Sequence, residues 1–204
     1  MIPVKICGIT NLEDALTCCR LGAAAIGFIF ADSKRKVTPE MVYQITRNIS
    51  PFILKVGVFV NENPLLIKEI MKDCRLDLAQ LHGSESPDEA EVLEGRVIKV
   101  FRAGYDRIEV KWKTAPIRAV LVDTYSPRNV GGTGTSFDWS MFRDYKTLGF
   151  PTILAGGLND LNIGAAVKIA GPDGVDISSG VEREPGIKDP RKVSRLFREI
   201  SKIS

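Results

Sequence analysis

The 204-residue chain has one histidine, His82, and four cysteines, none of them spaced as a Cys-x-x-Cys pair. A structural zinc site draws on closely paired Cys and His ligands, so no metal is expected. Cys18, Cys19 and Cys74 read as small helix-packing residues of a reducing compartment. A dense basic stripe is also missing: the net charge of +3 comes from dispersed Lys and Arg, which argues against a nucleic-acid partner. The most apolar run, 21–31, is glycine-broken and too short to span a membrane. Met1-Ile2-Pro3-Val4-Lys5 carries no apolar leader core, and a cytoplasmic protein with no membrane partner is expected. No shift in composition divides the chain. With 44% apolar and 26% charged residues, 1–204 is expected to be one domain with a sizeable core.

What is present is organised around Val4-Lys5-Ile6-Cys7-Gly8-Ile9-Thr10-Asn11-Leu12-Glu13-Asp14. Alternation puts Val4 and Ile6 on one face of a short strand and Lys5 and Cys7 on the other. Gly8 opens a loop, and Thr10 with Glu13 has the form of a capping box. Leu12, Ala15, Leu16 and Cys19 then mark a helical stripe. The unit repeats. Further strands are expected at 24–30, 53–60, 78–81, 97–101, 119–122, 152–155 and 175–177. Helices are expected from Pro39, Asn61, Pro87 and Asp138, through Ile163, Ala166, Val167 and Ala170, and along Val193, Leu196, Phe197 and Ile200. The segment 104–116 has only a partial helical pattern.

Eight strands alternating with about eight helices predict a parallel α/β fold. An open doubly wound sheet and a closed (β/α)8 TIM barrel both fit the alternation. The count favours the barrel. So do Lys5, Lys55 and Lys99, which interrupt or flank apolar strands and call for an interior where a lysine can meet a carboxylate.

In a barrel, function gathers on the loops after the strands. Gly156-Gly157 and Ser178-Ser179-Gly180 put small residues on two consecutive loops, where backbone N–H groups can hold a phosphate; plain turn glycine is the other reading. Asp123 ends an apolar strand, as a half-buried acid or as a cap or ion-pair partner. Asp176, between Val175 and Ile177, suits a substrate contact and a partner for an interior lysine equally. Cys7 lies about 7 Å along the strand from Lys5, close enough to favour a thiolate in a low-dielectric interior; a buried structural cysteine is the alternative. Arg35, among lysines, offers a planar fork to a carboxylate, or is part of a solvated basic loop. The glycine-rich loop 126–136 reads as a lid or as a plain connection.

These residues together resemble the phosphoribosylanthranilate isomerase family. The matching stretches are Val4-Lys5-Ile6-Cys7-Gly8-Ile9-Thr10, Ser33-Lys34-Arg35, Val56-Gly57-Val58-Phe59-Val60-Asn61, Gln80-Leu81-His82-Gly83 and Val122-Asp123-Thr124. They continue with Gly131-Gly132-Thr133-Gly134, Phe137-Asp138-Trp139, Ala155-Gly156-Gly157-Leu158, Asp176-Ile177-Ser178-Ser179-Gly180-Val181-Glu182 and Pro185-Gly186. Thr135 stands where relatives often carry a longer polar residue, which bears on the lid alone.

The resemblance implies a compact (β/α)8 barrel, monomeric or homodimeric, with no cofactor. It implies an Amadori rearrangement of N-(5-phosphoribosyl)anthranilate, a small phosphosugar-anthranilate substrate of tryptophan biosynthesis. Cys7 is then the general base and Asp123 the general acid. Arg35, His82 and Asp176 become substrate contacts, and Gly156, Gly157, Ser178, Ser179 and Gly180 the phosphate cradle. The related histidine-pathway isomerases use an aspartate where this chain has Cys7. A pure phosphosugar-binding protein would need neither Cys7 nor Asp123.

Overall fold

The computed structural model describes residues 1–106, 108–124 and 139–203. Eight parallel strands close a barrel in chain order: β1 (Val4–Ile6), β2 (Ala25–Ile29), β3 (Leu54–Phe59), β4 (Leu78–Leu81), β5 (Val97–Arg102), β6 (Ala119–Asp123), β7 (Thr152–Ala155) and β8 (Gly174–Ile177). β8 pairs back onto β1, with Lys5 opposite Asp176. The helices are α1 (Leu12–Leu21), α2 (Pro39–Thr46), α3 (Pro64–Asp73), α4 (Pro87–Val92), α5 (Phe142–Tyr145), α6 (Ile163–Ala170) and α7 (Pro190–Ser201). The expected TIM barrel is present. No helix is long and apolar enough to cross a membrane, among the described residues.

Strand alternation divides two cores. Ala25, Val56, Ile98, Val100, Ala119, Leu121 and Ala155 fill the barrel. The opposite faces pack against the helices in a larger cluster that includes Ile6, Ile26, Phe28, Leu81 and Val120. This corrects the expectation for the lysines. Lys5 is in register with Ala25 and faces the interior. Lys55 is in register with Ile26, and Lys99 with Leu81 and Val120, so both face the helix layer. Each still meets a carboxylate: Lys5 with Asp176 at 2.9 Å, Lys55 with Asp77 at 3.2 Å, Lys99 with Glu85 at 2.7 Å. A buried ammonium needs that charge wherever it lies.

Local chemistry moves some boundaries. The cap of α1 is Asn11, not Thr10: its side chain accepts from the Asp14 N–H at 2.8 Å. Thr10 instead donates to the Gly186 carbonyl at 2.6 Å. The third helix begins at Pro64 behind an Asn63 cap. Asn61 stands in a left-handed turn (φ 51°), where its side chain accepts from the Ser84 N–H at 2.7 Å. Asn and Asp tolerate that conformation because their short side chains bond locally.

Among the described residues of 104–116 only a 3-10 turn forms, Val110–Lys113, with Trp112 edge-on to Phe101 at 6.1 Å. Asp138 and the loop 126–136 lie outside the described residues; a 3-10 turn, Trp139–Met141, leads into α5. After β8 comes an unforeseen antiparallel ribbon, β9 (Glu182–Glu184) with β10 (Ile187–Lys188).

Candidate active site

The C-terminal rim of the barrel holds a cavity of about 190 Å³. Cys7, Gln80, His82, Asp123, Gly156, Gly157, Asp176, Ser178 and Ser179 are among its lining. Eight of the ten expected site residues line it, and the grouping follows from the pleat: residues two apart share a face, so Lys5 and Cys7, Gln80 and His82, and Asp176 and Ser178 all project inward. Arg35 and Gly180 sit next to that lining. The side chain of Arg35 crosses Gly8, where an added Cβ would come within 2.6 Å of Arg35 Cδ and 3.1 Å of Ser178 Oγ. With φ at 75°, Gly8 supplies both the turn and the close approach.

Cys7 lies at the end of β1, its N–H bonded to the Ile177 carbonyl at 2.8 Å. Burial pushes its thiol above the ordinary value; Lys5 opposes that, Asp176 adds to it, and Lys188 opposes it again. For Lys5, burial acts downward, but Asp176 and Cys7 outweigh it and leave the ammonium above its ordinary pKa. Space for the pair comes from Gly27 on β2, where an ideal Cβ would stand 2.8 Å from Cys7 Sγ and 3.0 Å from Lys5 Cε and Nζ.

Across the cavity, half-buried Asp123 closes β6, with its Oδ2 3.5 Å from His82 Nε2. Gln80 Nε2 lies 3.4 Å from His82 Nδ1. As the amide donates, Nδ1 is the acceptor and Nε2 carries the proton toward Asp123. Gln80 is 2% exposed. Its Oε1 and the Ser178 Oγ are buried without a partner among the described residues. Buried polar atoms in that state cost stability unless something else satisfies them. Both residues line the cavity, so both suit a ligand's polar groups.

The β7 and β8 loops approach closely. Gly156 and Gly157 have φ of 95° and 63°. An added Cβ at Gly180 would sit 1.9 Å from the Leu158 carbonyl oxygen, so only glycine lets the loops meet. Ser179–Val181 is one 3-10 turn, whose first N–H groups have no acceptor inside it. Thr124 Oγ donates to the Ala155 carbonyl at 2.7 Å and ties the sixth loop to the seventh.

Arg35 is not a solvated loop residue. Its Nε and Nη2 grip Glu182 at 2.8 and 2.6 Å. That occupies one edge of the guanidinium; Nη1 makes no protein hydrogen bond among the described residues. Asp176 realises the lysine-partner reading through Oδ1, bound to Lys5 at 2.9 Å, and still lines the cavity. Sequence reasoning missed Gln80, Gly27, Glu182 and Lys188. A polar residue two before His82 in an apolar strand was a readable signal for Gln80; the others depend on distant partners. No cluster of three or more His, Cys, Asp or Glu fit for a metal occurs among the described residues.

Residues 4–199 match the model of the N-(5'phosphoribosyl)anthranilate (PRA) isomerase family. A Geobacter sulfurreducens protein called N-(5'-phosphoribosyl)anthranilate isomerase is 46% identical over 199 residues, 97% of this chain and 98% of its own. The crystal structure of phosphoribosyl anthranilate isomerase from Thermotoga maritima superposes with a TM-score of 0.89 at 39% identity, over 99% of this chain and 100% of that one. A crystal structure of phosphoribosyl anthranilate isomerase in complex with reduced 1-(o-carboxyphenylamino)-1-deoxyribulose 5-phosphate is 36% identical with a TM-score of 0.86, over 99% and 100% of the two chains. The barrel, its rim and these matches agree, and the chain belongs to the N-(5'-phosphoribosyl)anthranilate isomerase family.

Proposed function

We propose that this chain, as one domain over 1–204, catalyses the isomerisation of N-(5-phosphoribosyl)anthranilate to 1-(2-carboxyphenylamino)-1-deoxyribulose 5-phosphate in cytoplasmic tryptophan biosynthesis. One observation carries the reading: a thiol and a carboxylate line the same rim cavity, beside two glycine- and serine-rich loops. Protonated Asp123 gives its proton to the ribose ring oxygen as the bond from that oxygen to C1 breaks, leaving an iminium at C1. Cys7 as thiolate removes the C2 proton, and the electron pair forms the enolamine. Proton return at C1 and loss of the enol proton give the ketone. Atoms and electrons balance within the substrate, so the chemistry calls for no cofactor.

The remaining residues hold the substrate at its two ends. Gly156, Gly157, Ser178, Ser179 and Gly180 take the phosphate. The open edge of Arg35 takes the anthranilate carboxylate, with Glu182 fixing the plane of the fork. Asp176 takes a sugar hydroxyl and His82 orients Asp123. The chain works as a monomer or a homodimer. The pair is favoured by Phe52, 92% exposed, and exposed Leu54 beside an apolar cavity at the N-terminal face. Sedimentation at micromolar concentration reads that state.

The test follows anthranilate-type fluorescence of freshly made substrate. Wild type is expected to consume it, and Cys7→Ala and Asp123→Asn to lose about a hundredfold or more in kcat. A folded wild type without activity refutes the proposal. Full activity in Cys7→Ala keeps the reaction and moves the base elsewhere.

A further inference from the structure

Lys188 is a lysine on a two-residue strand outside the barrel, yet it is only 1% exposed. Removing an ammonium from water is costly unless each of its three N–H donors is met and a counter-charge is near. Here all three have acceptors: the Cys7 carbonyl at 2.6 Å, Glu182 Oε1 at 2.8 Å and the Ser178 carbonyl at 3.3 Å. Two of these belong to the backbone of the very residues placed above at opposite functions, the base and the phosphate cradle. Lys188 is also fixed from behind. Its own N–H donates to Asp14 at 2.8 Å, and the ribbon turn at Gly186 accepts from Thr10. Glu182, its register partner across the ribbon, grips Arg35.

We propose that Lys188 is a positioning residue: from the β9–β10 ribbon it clasps the Cys7 loop to the Ser178 loop, and so sets the thiol relative to the substrate's phosphate. The inference rests on the roles proposed for Cys7 and Ser178, and it goes beyond them by giving the ribbon a part in catalysis. The same ammonium is one of the charges facing Cys7. The others are Lys5 from its own strand, Asp176 from β8 and Arg35 from the second loop. A neutral residue at 188 therefore removes both a clasp and a positive charge near the thiol.

The test compares wild type, Lys188→Met, Lys188→Gln and Lys188→Arg. Lys188→Gln keeps amide donors for the two carbonyls and serves if Lys188→Met does not fold. Two readouts need no isomerase substrate. One is the pH midpoint of iodoacetamide alkylation at Cys7, counted by peptide mass; the other is inorganic phosphate binding by calorimetry. The neutral variants are expected to raise the midpoint by about half a unit or more. They are also expected to weaken phosphate several-fold and lower kcat about tenfold, while Lys188→Arg keeps most of each. A folded neutral variant with an unchanged midpoint and unchanged phosphate binding overturns the proposal and leaves Lys188 a purely structural residue. Because alkylation and phosphate binding are read without turnover, they separate this failure from failure of the isomerase reading.

Discussion

Gly27→Ala adds one methyl group at the point where Cys7 and Lys5 meet. Its carbon would lie 2.8 Å from Cys7 Sγ and 3.0 Å from Lys5 Cε and Nζ. Ordinary carbon contacts begin at about 3.5 Å, so the pair must open. Lys5 is held by Asp176 at 2.9 Å on the neighbouring strand, which leaves Cys7 the part that moves. A unit charge pair near 4 Å is worth about 4 kcal/mol at an effective dielectric of about 20, and loses about 0.8 kcal/mol with one more ångström. That corresponds to about 0.6 pKa unit on the thiol. Burial already holds the Cys7 thiol above its ordinary value, and Lys5 is its main counterweight. Weakening that contact drives the pKa further up. At neutral pH the thiolate population then falls about fourfold, and overpacking adds a stability loss of about 1–3 kcal/mol.

Two measurements check this. The alkylation rate of Cys7 against pH, resolved by peptide mass, is expected to shift to higher pH in Gly27→Ala. Burial pushes Cys18 up to about 12 and Cys74 up to about 11, so neither competes near neutrality; Cys19 is more accessible and must be counted apart. The kcat should fall at least about fourfold at neutral pH and recover partly as pH rises, because a base with a raised pKa regains its thiolate in alkali. An unchanged alkylation profile with full activity would refute the argument that the glycine makes room for the thiol and its lysine.

Arg35→Lys keeps the charge but loses the two-edged fork. Steady-state kinetics should show KM raised about tenfold with a smaller change in kcat, and an unchanged KM would rule out the carboxylate contact. Gln80→Leu removes a buried oxygen without a partner, so urea unfolding should show stability unchanged or improved by about 1 kcal/mol. Its kcat/KM should nonetheless fall, and a fully active Gln80→Leu would leave that amide no role in the site. Acid should weaken the fold through Glu85 and Glu182. In both, burial acts to raise the pKa, but hydrogen bonds outweigh it, from Lys99 and the Asn61 N–H on Glu85 and from Arg35 and Lys188 on Glu182. Their folded pKa values are thus depressed. The stability they give is complete above the unfolded value of about 4.3 and is lost as pH falls through the folded values. Melting temperature should drop steeply below about pH 4, and Glu85→Gln should flatten that drop.

Much of the fold was legible because barrels repeat a local unit. β4 and β7 run over Leu78–Leu81 and Thr152–Ala155, as alternation and apolar runs foretold. Alternation also put Lys5 and Cys7 on one face, and that face is the barrel interior. The failures have causes that lie elsewhere in the chain. Thr10 and Asn11 are both good caps, and the hydroxyl that looked like a cap is spent on Gly186, 176 residues away. The interior lysines were over-read, because a strand's two faces cannot be told apart when both are apolar. Only register against Ile26 and Leu81 shows that Lys55 and Lys99 look outward.

The site divides along the same line. Residue types on loops after strands could be read one loop at a time, and Cys7, Asp123, His82, Asp176 and the two small-residue loops do converge on one cavity. What could not be read is how several of them are held, since those restraints cross most of the chain. Glu182 meets Arg35 at a separation of 147 residues, and Lys188 meets the Cys7 carbonyl at 181. Closure of the barrel brings those ends together, because β8 has no neighbour left to pair with except β1. A ribbon placed directly after β8 can therefore reach the loops of β1 and β2 at once. The ribbon's pinning is expected to matter more than its exposed sequence. Arg183→Ala and Glu184→Ala, on side chains that stay exposed, should leave kcat unchanged within about twofold. Thr10→Val, which unpins the turn at Gly186, should lower it several-fold in the same fluorescence assay. The reverse order would show that the ribbon acts through its surface and not through its buried clasp.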